Sequence, residues 1–393
     1  MEITKNIRDI VVLYGPPWDQ PAQLSKHQFA GLWACDRRVL YVEAPINPIS
    51  FITRKEEARK LWRRYKNGPE KISDNLWVTT FFYPLPFRGR RYLFGGEWIN
   101  TINQYFVMGK LKKQLSELNF VNPILFIGGA HALPLLDDYK DSFKIYHCSD
   151  DYTLVQSFPQ SFKTIEKKFI KKCDLIITTA DELKRSKQHL NSNIISISNG
   201  ANIDHFSQTQ KSHIKIAEEL KQISNPIVGY IGTIFEWINQ DWIYYAAEEN
   251  SDYNFIFIGP VTTNISKLKN RKNIYFLGPR PYEDLPKYLK AFSIAIIPFT
   301  IDGVTLKASP IKFYEYLASG VPIVSTALPD LEPFKEISSL VTTKDEFNEQ
   351  IIALINNDNN ELKSKRMQIA KSYSWEARFN QMNEHIDQIL ESK

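Results

Sequence analysis

The sequence predicts two successive α/β domains, each a doubly wound, mostly parallel sheet with helices on both faces. Its 393 residues exceed what one hydrophobic core usually organises. Short apolar runs bounded by turn residues alternate with longer helical patterns, which is typical of βα units. The alternation restarts after the polar stretch 207–225, which has no apolar strand and ends at Pro226. We therefore expect domains at 1–206 and 207–372, and a terminal helix at 373–393.

The apolar runs give the predicted strands in chain order. In the first half they are Asp9–Tyr14, Val39–Val42, Leu76–Thr80, Ile124–Ile127, Ile145–Cys148, Leu175–Thr178 and Ile194–Ser198. In the second half they are Ile227–Ile231, Asn254–Ile258, Ile274–Leu277, Ile294–Pro298, Ile323–Ser325 and a short strand near Leu340. The tail places apolar residues on one helical face, and we expect this helix to pack back on the first domain.

Composition and charge exclude some classes of protein and suggest one partner. Hydrophobic residues make up 43% and charged residues 24% of the chain, as in a folded protein. A net charge of +5 gives no indication of nucleic-acid binding. Basic residues in 54–66 and at Arg88, Arg90 and Arg91 lie among aromatic residues, a mixture suited to an anionic membrane surface. A solvated helix face and loop would give the same pattern.

The compartment follows from the cysteines and the hydropathy. Cys35, Cys148 and Cys173 have neither pairing nor metal-ligand spacing, which favours a reducing cytosol. No apolar run approaches the length of a spanning helix. We expect a cytoplasmic protein, peripheral on the inner face of the cell membrane.

Ligands of open parallel sheets bind beyond the carboxyl ends of the strands, so the turns there are the candidate sites. No GxGxxG occurs, which counts against a dinucleotide-dependent dehydrogenase. The turns that follow strands are Gly15–Gln20, Gly128–His131, Ser149–Tyr152, Gly232–Thr233, Gly259–Pro260, Gly278–Arg280 and Thr300–Ser309.

The last of these turns leads into the strongest local feature. Ser309 suits a helix N-cap and Pro310 the first helical position, while Gly320 ends the helix. The amides of its first turn make a seat for a diphosphate, to which Lys307 or Lys312 adds charge. Glu315 is placed to accept hydrogen bonds from a ribose diol. Alternatively, Glu315 is a surface residue paired with Lys312.

The run SPIKFYEYLASGVPIVST, residues 309–326, resembles the donor-binding helix of glycosyltransferases with the GT-B fold. The sequence resembles teichuronic acid biosynthesis glycosyltransferases and, more distantly, membrane-associated exopolysaccharide glucuronosyltransferases. Further segments occur in the order that this superfamily shows: Ile145–Tyr152, Cys173–Lys184, Ile197–Phe206, Tyr230–Ile243, Phe255–Pro260 and Asn273–Phe299.

The resemblance implies a GT-B fold in which 1–206 binds the acceptor and 207–372 binds the donor across a central cleft. The implied reaction moves a sugar from a UDP-sugar, possibly UDP-glucuronate or another UDP-hexose, to a lipid-linked saccharide or polysaccharide. Glu315 would bind the ribose, and Arg280, Pro281 and Tyr282 would lie near the uracil. The diphosphate would meet the segment with Lys307, Ser309, Pro310 and Ile311, near the helix residue Lys312. The strand-end positions Gly232, Thr233 and Gly259 would lie beside it.

One departure from the family pattern bears on mechanism. Many retaining GT-B enzymes carry a glutamate eight positions before the ribose-binding one, and here that position is Lys307. A lysine neutralises a departing diphosphate without a metal ion, so we expect an inverting, metal-independent enzyme that needs no cofactor.

Inversion requires a general base on the acceptor hydroxyl, and a carboxylate is a common choice. Asp150 and Asp151 are the candidates, and in the glucuronosyltransferase relatives an aspartate of the first domain has this role. Alternatively, one of the pair caps the following helix. His131 is a rival base, although a loop histidine that only bonds to backbone is the plainer interpretation. Pro17, Trp18 and His27 are expected on the acceptor side, with core packing as the alternative for Trp18 and His27.

Three other functions stay open at this point. They are a retaining GT-B glycosyltransferase, a GT-B UDP-sugar 2-epimerase and a non-catalytic GT-B-like partner subunit. The basic and aromatic residues of the first half count against the epimerase, and Glu315, Lys307 and the aspartate pair count against the non-catalytic subunit.

Overall fold

The computed structural model describes residues 8–20, 23–86, 96–154, 158–159 and 161–392. The chain forms two compact units, one of residues 1–197 with 385–393 and one of residues 198–384. Arg88, Arg90 and Arg91 of the predicted basic surface lie outside the described residues. Within the described ranges, no helix is both long and apolar enough to cross a lipid bilayer.

The first unit is built on an eight-stranded sheet in the order β3-β4-β2-β1-β5-β6-β7-β8. All neighbouring strands are parallel except β3 and β4, and β1 is hydrogen-bonded to both β2 and β5. The strands are β1 Ile10–Gly15, β2 Val39–Glu43, β3 Glu70–Ser73, β4 Leu76–Thr79, β5 Ile124–Ile127, β6 Lys144–Cys148, β7 Leu175–Thr178 and β8 Ile194–Ser196.

Helices connect these strands on both faces of the sheet, which is why most of the strands are buried along their whole length. A 3₁₀ segment, Ala130–Asp138, follows β5 directly. The α-helices of this unit are α1 Ser25–Trp33, α2 Ser50–Thr53, α3 Lys55–Asn67, α4 Glu97–Glu117, α5 Phe162–Lys172 and α6 Asp181–Lys187.

The second unit has a six-stranded, all-parallel sheet in the order β11-β10-β9-β12-β13-β14. Counted within this unit, that is the order 3-2-1-4-5-6 of a dinucleotide-binding fold. Its strands are β9 Ile227–Ile231, β10 Asn254–Ile258, β11 Ile274–Gly278, β12 Ile294–Ile297, β13 Ile323–Thr326 and β14 Ser339–Val341. Its helices are α7 Ile203–Ser207, α8 Gln240–Glu249, α9 Ser266–Lys269, α10 Leu285–Leu289, α11 Ile311–Ser319, α12 Lys344–Asn357 and α13 Asn360–Lys371, and the last helix, α14 Trp375–Glu391, follows.

The predicted strands are confirmed, with ends shifted by one or two residues. Only β3 lacks a prediction. Its four residues are all exposed, and it pairs antiparallel at the edge of the sheet, so no apolar run marks it in the sequence.

The division between the units differs from the expected boundary at 206/207. The polar stretch suggests a linker there, yet Ala201 and Phe206 are buried in the core of the second unit. The side-chain amide of Asn199 also donates a 2.6 Å hydrogen bond to the carbonyl of Ser309. Residues 198–206 therefore belong to the second unit, and residues 385–393 of the tail group with the first.

Candidate active site

The second unit has its switch point between β9 and β12, which lie side by side. From β9 the chain continues to β10 on one side, and from β12 it continues to β13 on the other. Because the two connections run toward opposite edges of the sheet, a crevice opens beyond the carboxyl ends of β9 and β12. Gly232 follows β9, and the loop Thr300–Ser309 follows β12 and leads into α11. Most of the predicted donor residues lie at this point.

Two glycines bring backbone and helix close together in the crevice. Gly232 and Gly259 have φ angles of +148° and +141°, which side-chain-bearing residues rarely adopt. A Cβ on Gly259 would lie 2.2 Å from the carbonyl oxygen of Gly232, and a Cβ on Gly232 would lie 2.6 Å from Cε of Lys312. The predicted residues Gly232, Gly259 and Lys312 are thus neighbours. Thr233 is the next residue along, and its carbonyl accepts a hydrogen bond from the Tyr230 hydroxyl.

The start of α11 corrects one prediction. The helix begins at Ile311, with Pro310 before it, so Ser309 is not its N-cap and Pro310 is not its first residue. Instead, the Ser309 hydroxyl accepts the backbone N–H of Asn199 and lies 3.2 Å from the Tyr314 hydroxyl. Among the described residues no side chain caps this helix, although the N–H of Phe313 is bonded to the Pro310 carbonyl, so the amides before it are available to a ligand. Gly320 ends the helix in the left-handed conformation, as predicted.

Lys312 and Glu315 are half-buried on this helix. The Lys312 ammonium lies 5.4 Å from the ring centroid of Tyr230 and 5.6 Å from that of Phe299. Burial lowers the pKa of Lys312, and it raises the pKa of Glu315 to about 7 against the opposing charge of Lys312. Within the described residues, no ion pair or hydrogen bond engages the Glu315 carboxylate. The alternative of an exposed Lys312–Glu315 pair is therefore wrong.

The segment predicted to lie near the uracil is held by residues that the sequence did not single out. The guanidinium of Arg280 makes two hydrogen bonds, of 2.8 and 2.7 Å, to the carboxylate of Glu219. The Tyr282 ring stacks on His205 with 4.5 Å between centroids, and its carbonyl accepts from His205 Nε2. Burial first, and then the nearby charge of Glu315, raise the pKa of Tyr282. Pro281 and Tyr282 are thereby fixed close to Glu315.

The loop Thr300–Ser309 is folded by its own hydrogen bonds. The Asp302 carboxylate accepts the backbone N–H groups of Val304 and Thr305, at 2.8 and 3.0 Å. Lys307 ends the 3₁₀ turn Thr305–Lys307, directly before the segment that leads into α11.

The first unit has its own cavity, of about 250 Å³, at the carboxyl ends of β1, β2 and β5. The switch point of this sheet lies between β1 and β5, so the cavity is where a ligand of such a sheet is expected. Its lining comprises Tyr14, Gly15, Pro16, Lys26, Ala44, Pro45, Asn47, Arg54, Tyr83, Gly128, Gly129, His131, Tyr152, Phe158 and Phe162.

The two adjacent aspartates have different environments. Asp151 is buried, accepts hydrogen bonds from the hydroxyl and backbone N–H of Thr153 at 2.6 and 3.2 Å, and lies 3.9 Å from the Lys187 ammonium. These bonds close a turn, and the expected helix cap is wrong, because the next described helix, α5, begins only at Phe162 with Ser161 before it. Burial raises the pKa of Asp150 to about 6, while the charge of Lys26 and the hydroxyls of Ser149 and Tyr152 oppose that rise. Asp150 is the one whose carboxylate is suited to take up a proton.

His131 lines the cavity, where its ring lies 4.2 Å from that of Tyr14. Tyr14 has a φ of +63°, an uncommon conformation for a residue with a side chain. The Tyr14 hydroxyl donates a 2.6 Å hydrogen bond to Gln104.

The loop with Pro17 and Trp18 is held by His27. The Leu24 N–H donates to Nδ1 of His27, so Nε2 carries the proton and donates to the Pro17 carbonyl at 3.1 Å. His27 is buried and its pKa is lowered by that burial. It therefore positions the loop, while Trp18 is half-buried and its backbone N–H donates to Glu43 at 2.7 Å.

Lys26 is the functional candidate that the sequence did not reveal. It is 6% exposed, lines the cavity, and has a pKa lowered to about 8 by burial, an effect that the charge of Asp150 opposes. A lysine one position before His27 on a mixed helix has no pattern that separates it from a surface lysine. Only the packing of α1 beside Gly128 reveals its burial.

Comparison with known proteins finds a match to one family model, one curated relative and several solved structures with the same architecture. Residues 225–357 match the family of glycosyl transferases group 1. TuaH of Bacillus subtilis (strain 168), assigned as a teichuronic acid biosynthesis glycosyltransferase, is 25% identical over 272 residues, which is 63% of this chain and 68% of that protein.

Three solved structures share the fold over almost the whole chain. Sucrose-phosphate synthase from Thermosynechococcus elongatus has a TM-score of 0.70 at 13% identity, covering 98% of this chain and 100% of that one. HepE of Anabaena in complex with UDP has a TM-score of 0.67 at 14% identity, covering 97% and 100%. Trehalose 6-phosphate synthase from Burkholderia multivorans has a TM-score of 0.69 at 10% identity, covering 98% and 99%.

Proposed function

We propose that this chain, a group 1 glycosyl transferase with the GT-B fold and a distant homologue of TuaH, transfers a sugar from a UDP-sugar to a lipid-linked or growing surface polysaccharide. The observation that carries this proposal is Glu315, a half-buried carboxylate without a described partner, on a helix whose amino end is uncapped. The UDP held by HepE and the process assigned to TuaH support the choice of donor and of product.

The donor site follows from the second unit. The first-turn amides of α11 and the ammonium of Lys312 bind the diphosphate, with Lys307 adding a further positive charge. Glu315 accepts hydrogen bonds from the two ribose hydroxyls, and the segment Pro281–Tyr282 lies against the uracil. These fixed donors stabilise the departing UDP, so the reaction needs no metal ion.

The chemical step is a single displacement. Asp150 removes the proton from the acceptor hydroxyl as that oxygen attacks C1 of the donor sugar. The bond between C1 and the diphosphate oxygen breaks, and its electron pair leaves with UDP. Attack from the side opposite the leaving group inverts the configuration at C1. The positive charge of Lys26 favours the ionised form of Asp150, which is the form that accepts the proton.

Inversion is supported by two residues. Lys307 occupies the position where many retaining GT-B enzymes have a glutamate, and Asp150 offers a base of raised pKa in the first unit. If the enzyme instead retains configuration, a product formed from an α-linked donor keeps the α-linkage. The anomeric proton of the product, measured by NMR, distinguishes the two mechanisms.

The acceptor is presented at an anionic membrane surface. Helix α4 exposes Trp98, Ile102, Tyr105 and Phe106 along one face, a spacing that repeats with the helical turn. The neighbouring α5 bears exposed Lys163, Lys167 and Lys171, and its Lys168 pairs with Glu97 of α4 at 3.0 Å. Aromatic rings near exposed lysines suit the headgroup region of a bilayer. This is consistent with a peripheral protein on the inner face of the membrane.

One assay tests the function. The purified chain is incubated with a panel of UDP-sugars, with and without a membrane extract as acceptor source, and free UDP is measured. Release with one donor, dependent on acceptor, is the expected result. Release of UDP together with the 2-epimer of the sugar would instead indicate an epimerase, and UDP binding without release under any condition would indicate a non-catalytic subunit.

A further inference from the structure

Among the residues that the structure describes, none places a counter-ion at contact distance from the ammonium group of Lys26. The side chain is 6% exposed, and within the described residues no hydrogen bond or ion pair reaches its nitrogen. Asp150 acts on it only through its charge, at a distance beyond that of an ion pair. A buried cation without a partner is costly, so such groups normally pair with an anion or bind a ligand.

The packing around Lys26 directs it into the cavity of the first unit. A Cβ on Gly128 would lie 2.3 Å from Cε of Lys26, so the glycine makes room for the lysine stem. Arg54 lines the same cavity, and its guanidinium is bound on one side by Glu57 at 2.9 Å. The cavity therefore has one buried and one partly exposed cation.

Aromatic rings form the rest of the wall. The rings of Tyr14 and Tyr83 both lie near His131, with centroids 4.2 and 6.3 Å from that of its ring. The rings of Tyr152 and Phe158, 5.3 Å apart, add a further apolar surface. Sugars present C–H faces to aromatic rings, and a volume of about 250 Å³ suits one sugar unit.

We propose that this cavity binds a sugar residue of the acceptor that carries a negative charge, with its carboxylate or phosphate group on Lys26 and its ring between the aromatic side chains. The identification of the ligand as acceptor rests on the proposed function, while the binding of an anionic sugar does not. Lys26 is in this view a specificity-determining residue, which selects acceptors that end in an anionic sugar over neutral ones.

The test compares three probes that differ in one group. Glucuronate, glucose 6-phosphate and glucose are titrated into the full chain, and binding is followed by ligand-observed NMR. At least one anionic probe should bind about tenfold more tightly than glucose, the effect of one hydrogen bond to a charged group. Whichever of glucuronate and glucose 6-phosphate binds more tightly identifies the group as carboxylate or phosphate.

Lys26→Met keeps the apolar stem and removes the charge, and Lys140→Met, at an exposed position, is its matched control. Lys26→Met should lose the preference for the anionic probe, and Lys140→Met should keep it. Equal binding of all three probes to the unaltered protein would overturn the proposal whatever the variant does. An unchanged preference in a folded Lys26→Met protein would overturn it too.

Titration of UDP into the same samples separates this proposal from the proposed function. UDP binding with no preference among the monosaccharides contradicts only the anionic-sugar site. Failure to bind UDP, with the preference for the anionic sugar intact, contradicts the proposed function and leaves the site standing.

Discussion

Lys312 and Glu315 lie one turn apart on α11, and each has its pKa shifted toward the neutral form because it is withdrawn from water. They form no ion pair with each other. A lysine and a glutamate at this spacing would normally pair on a helix surface. Their separation leaves a cation beside Gly232 and a carboxylate one turn further along the helix, and the proposed donor site depends on this geometry.

Donor binding should depend on pH through Glu315. The pKa of this carboxyl is about 7, and the ionised form is the one that accepts two hydroxyl hydrogen bonds. The affinity for UDP-glucose, whose diphosphate does not titrate near neutrality, should therefore fall as pH drops through about 7. Calorimetric titration between pH 5.5 and 8.5 measures this. Glu315→Gln should be weaker and independent of pH; the same slope in that variant would exclude Glu315 as its source.

Catalysis should depend on Asp150 as the general base. Asp151 should contribute little to proton transfer. Asp150→Asn should lower the turnover number about 10²- to 10⁴-fold, the usual contribution of a general base, with UDP affinity unchanged. With donor at saturation, the rate should rise with pH through about 6 in the unaltered enzyme, because the Asp150 carboxylate must be ionised.

The control for that prediction is Asp151→Asn. Its main effect should be on stability, because Asp151 is buried and bonded to Thr153. A thermal melt shows this effect separately from the rate. If Asp150→Asn retained full activity, or if only Asp151→Asn lost it while remaining folded, the assignment of the base would be reversed.

The first unit should be destabilised by removing Arg64. This side chain is 5% exposed and bonds Glu43 at 2.6 Å, where Glu43 has no exposure at all. Its second nitrogen bonds Asp19 at 2.9 Å. Arg64→Met leaves the Glu43 charge buried and unpaired, which should lower the free energy of unfolding by about 3–5 kcal/mol. Urea denaturation followed by circular dichroism measures the change.

Arg63→Met is the matched control for Arg64, since Arg63 is the neighbouring residue and is exposed. It should change the unfolding free energy by less than about 0.5 kcal/mol. Replacing Glu43 by leucine together with Arg64→Met removes both charges and should recover part of the loss. Equal effects of Arg63→Met and Arg64→Met would contradict the account of the buried pair.

Membrane binding should require the exposed aromatic face of α4. Trp98→Ser with Phe106→Ser should abolish flotation with vesicles that contain phosphatidylglycerol, while the unaltered protein floats with them and binds little to neutral vesicles. Val121→Ser is the control, because Val121 is 76% exposed and lies outside this face. Flotation of the double variant at the level of the unaltered protein would remove α4 from the membrane surface.

Much of the fold follows from the sequence because apolar runs and turn residues mark buried parallel strands directly. The edge strand β3 has no such run. Ser309 and Pro310 fit the sequence rules for a helix start, but the Ser309 hydroxyl bonds to the backbone of Asn199 instead of capping the helix. Adjacent Asp150 and Asp151 cannot be separated by sequence, since only tertiary contacts show that Asp151 lies 3.9 Å from the Lys187 ammonium and that Asp150 feels the charge of Lys26. Lys26 is recognised only when its burial beside Gly128 is known.

The most direct test of the central claim is the affinity of UDP for Glu315→Ala. Two hydrogen bonds to a charged carboxylate are worth about 3 kcal/mol or more, so the dissociation constant measured by calorimetry should rise about a hundredfold or more. Glu361→Ala, at an exposed position of the same unit, should leave it unchanged. A folded Glu315→Ala protein that binds UDP as tightly as the unaltered chain would contradict the assignment of this helix as the donor site.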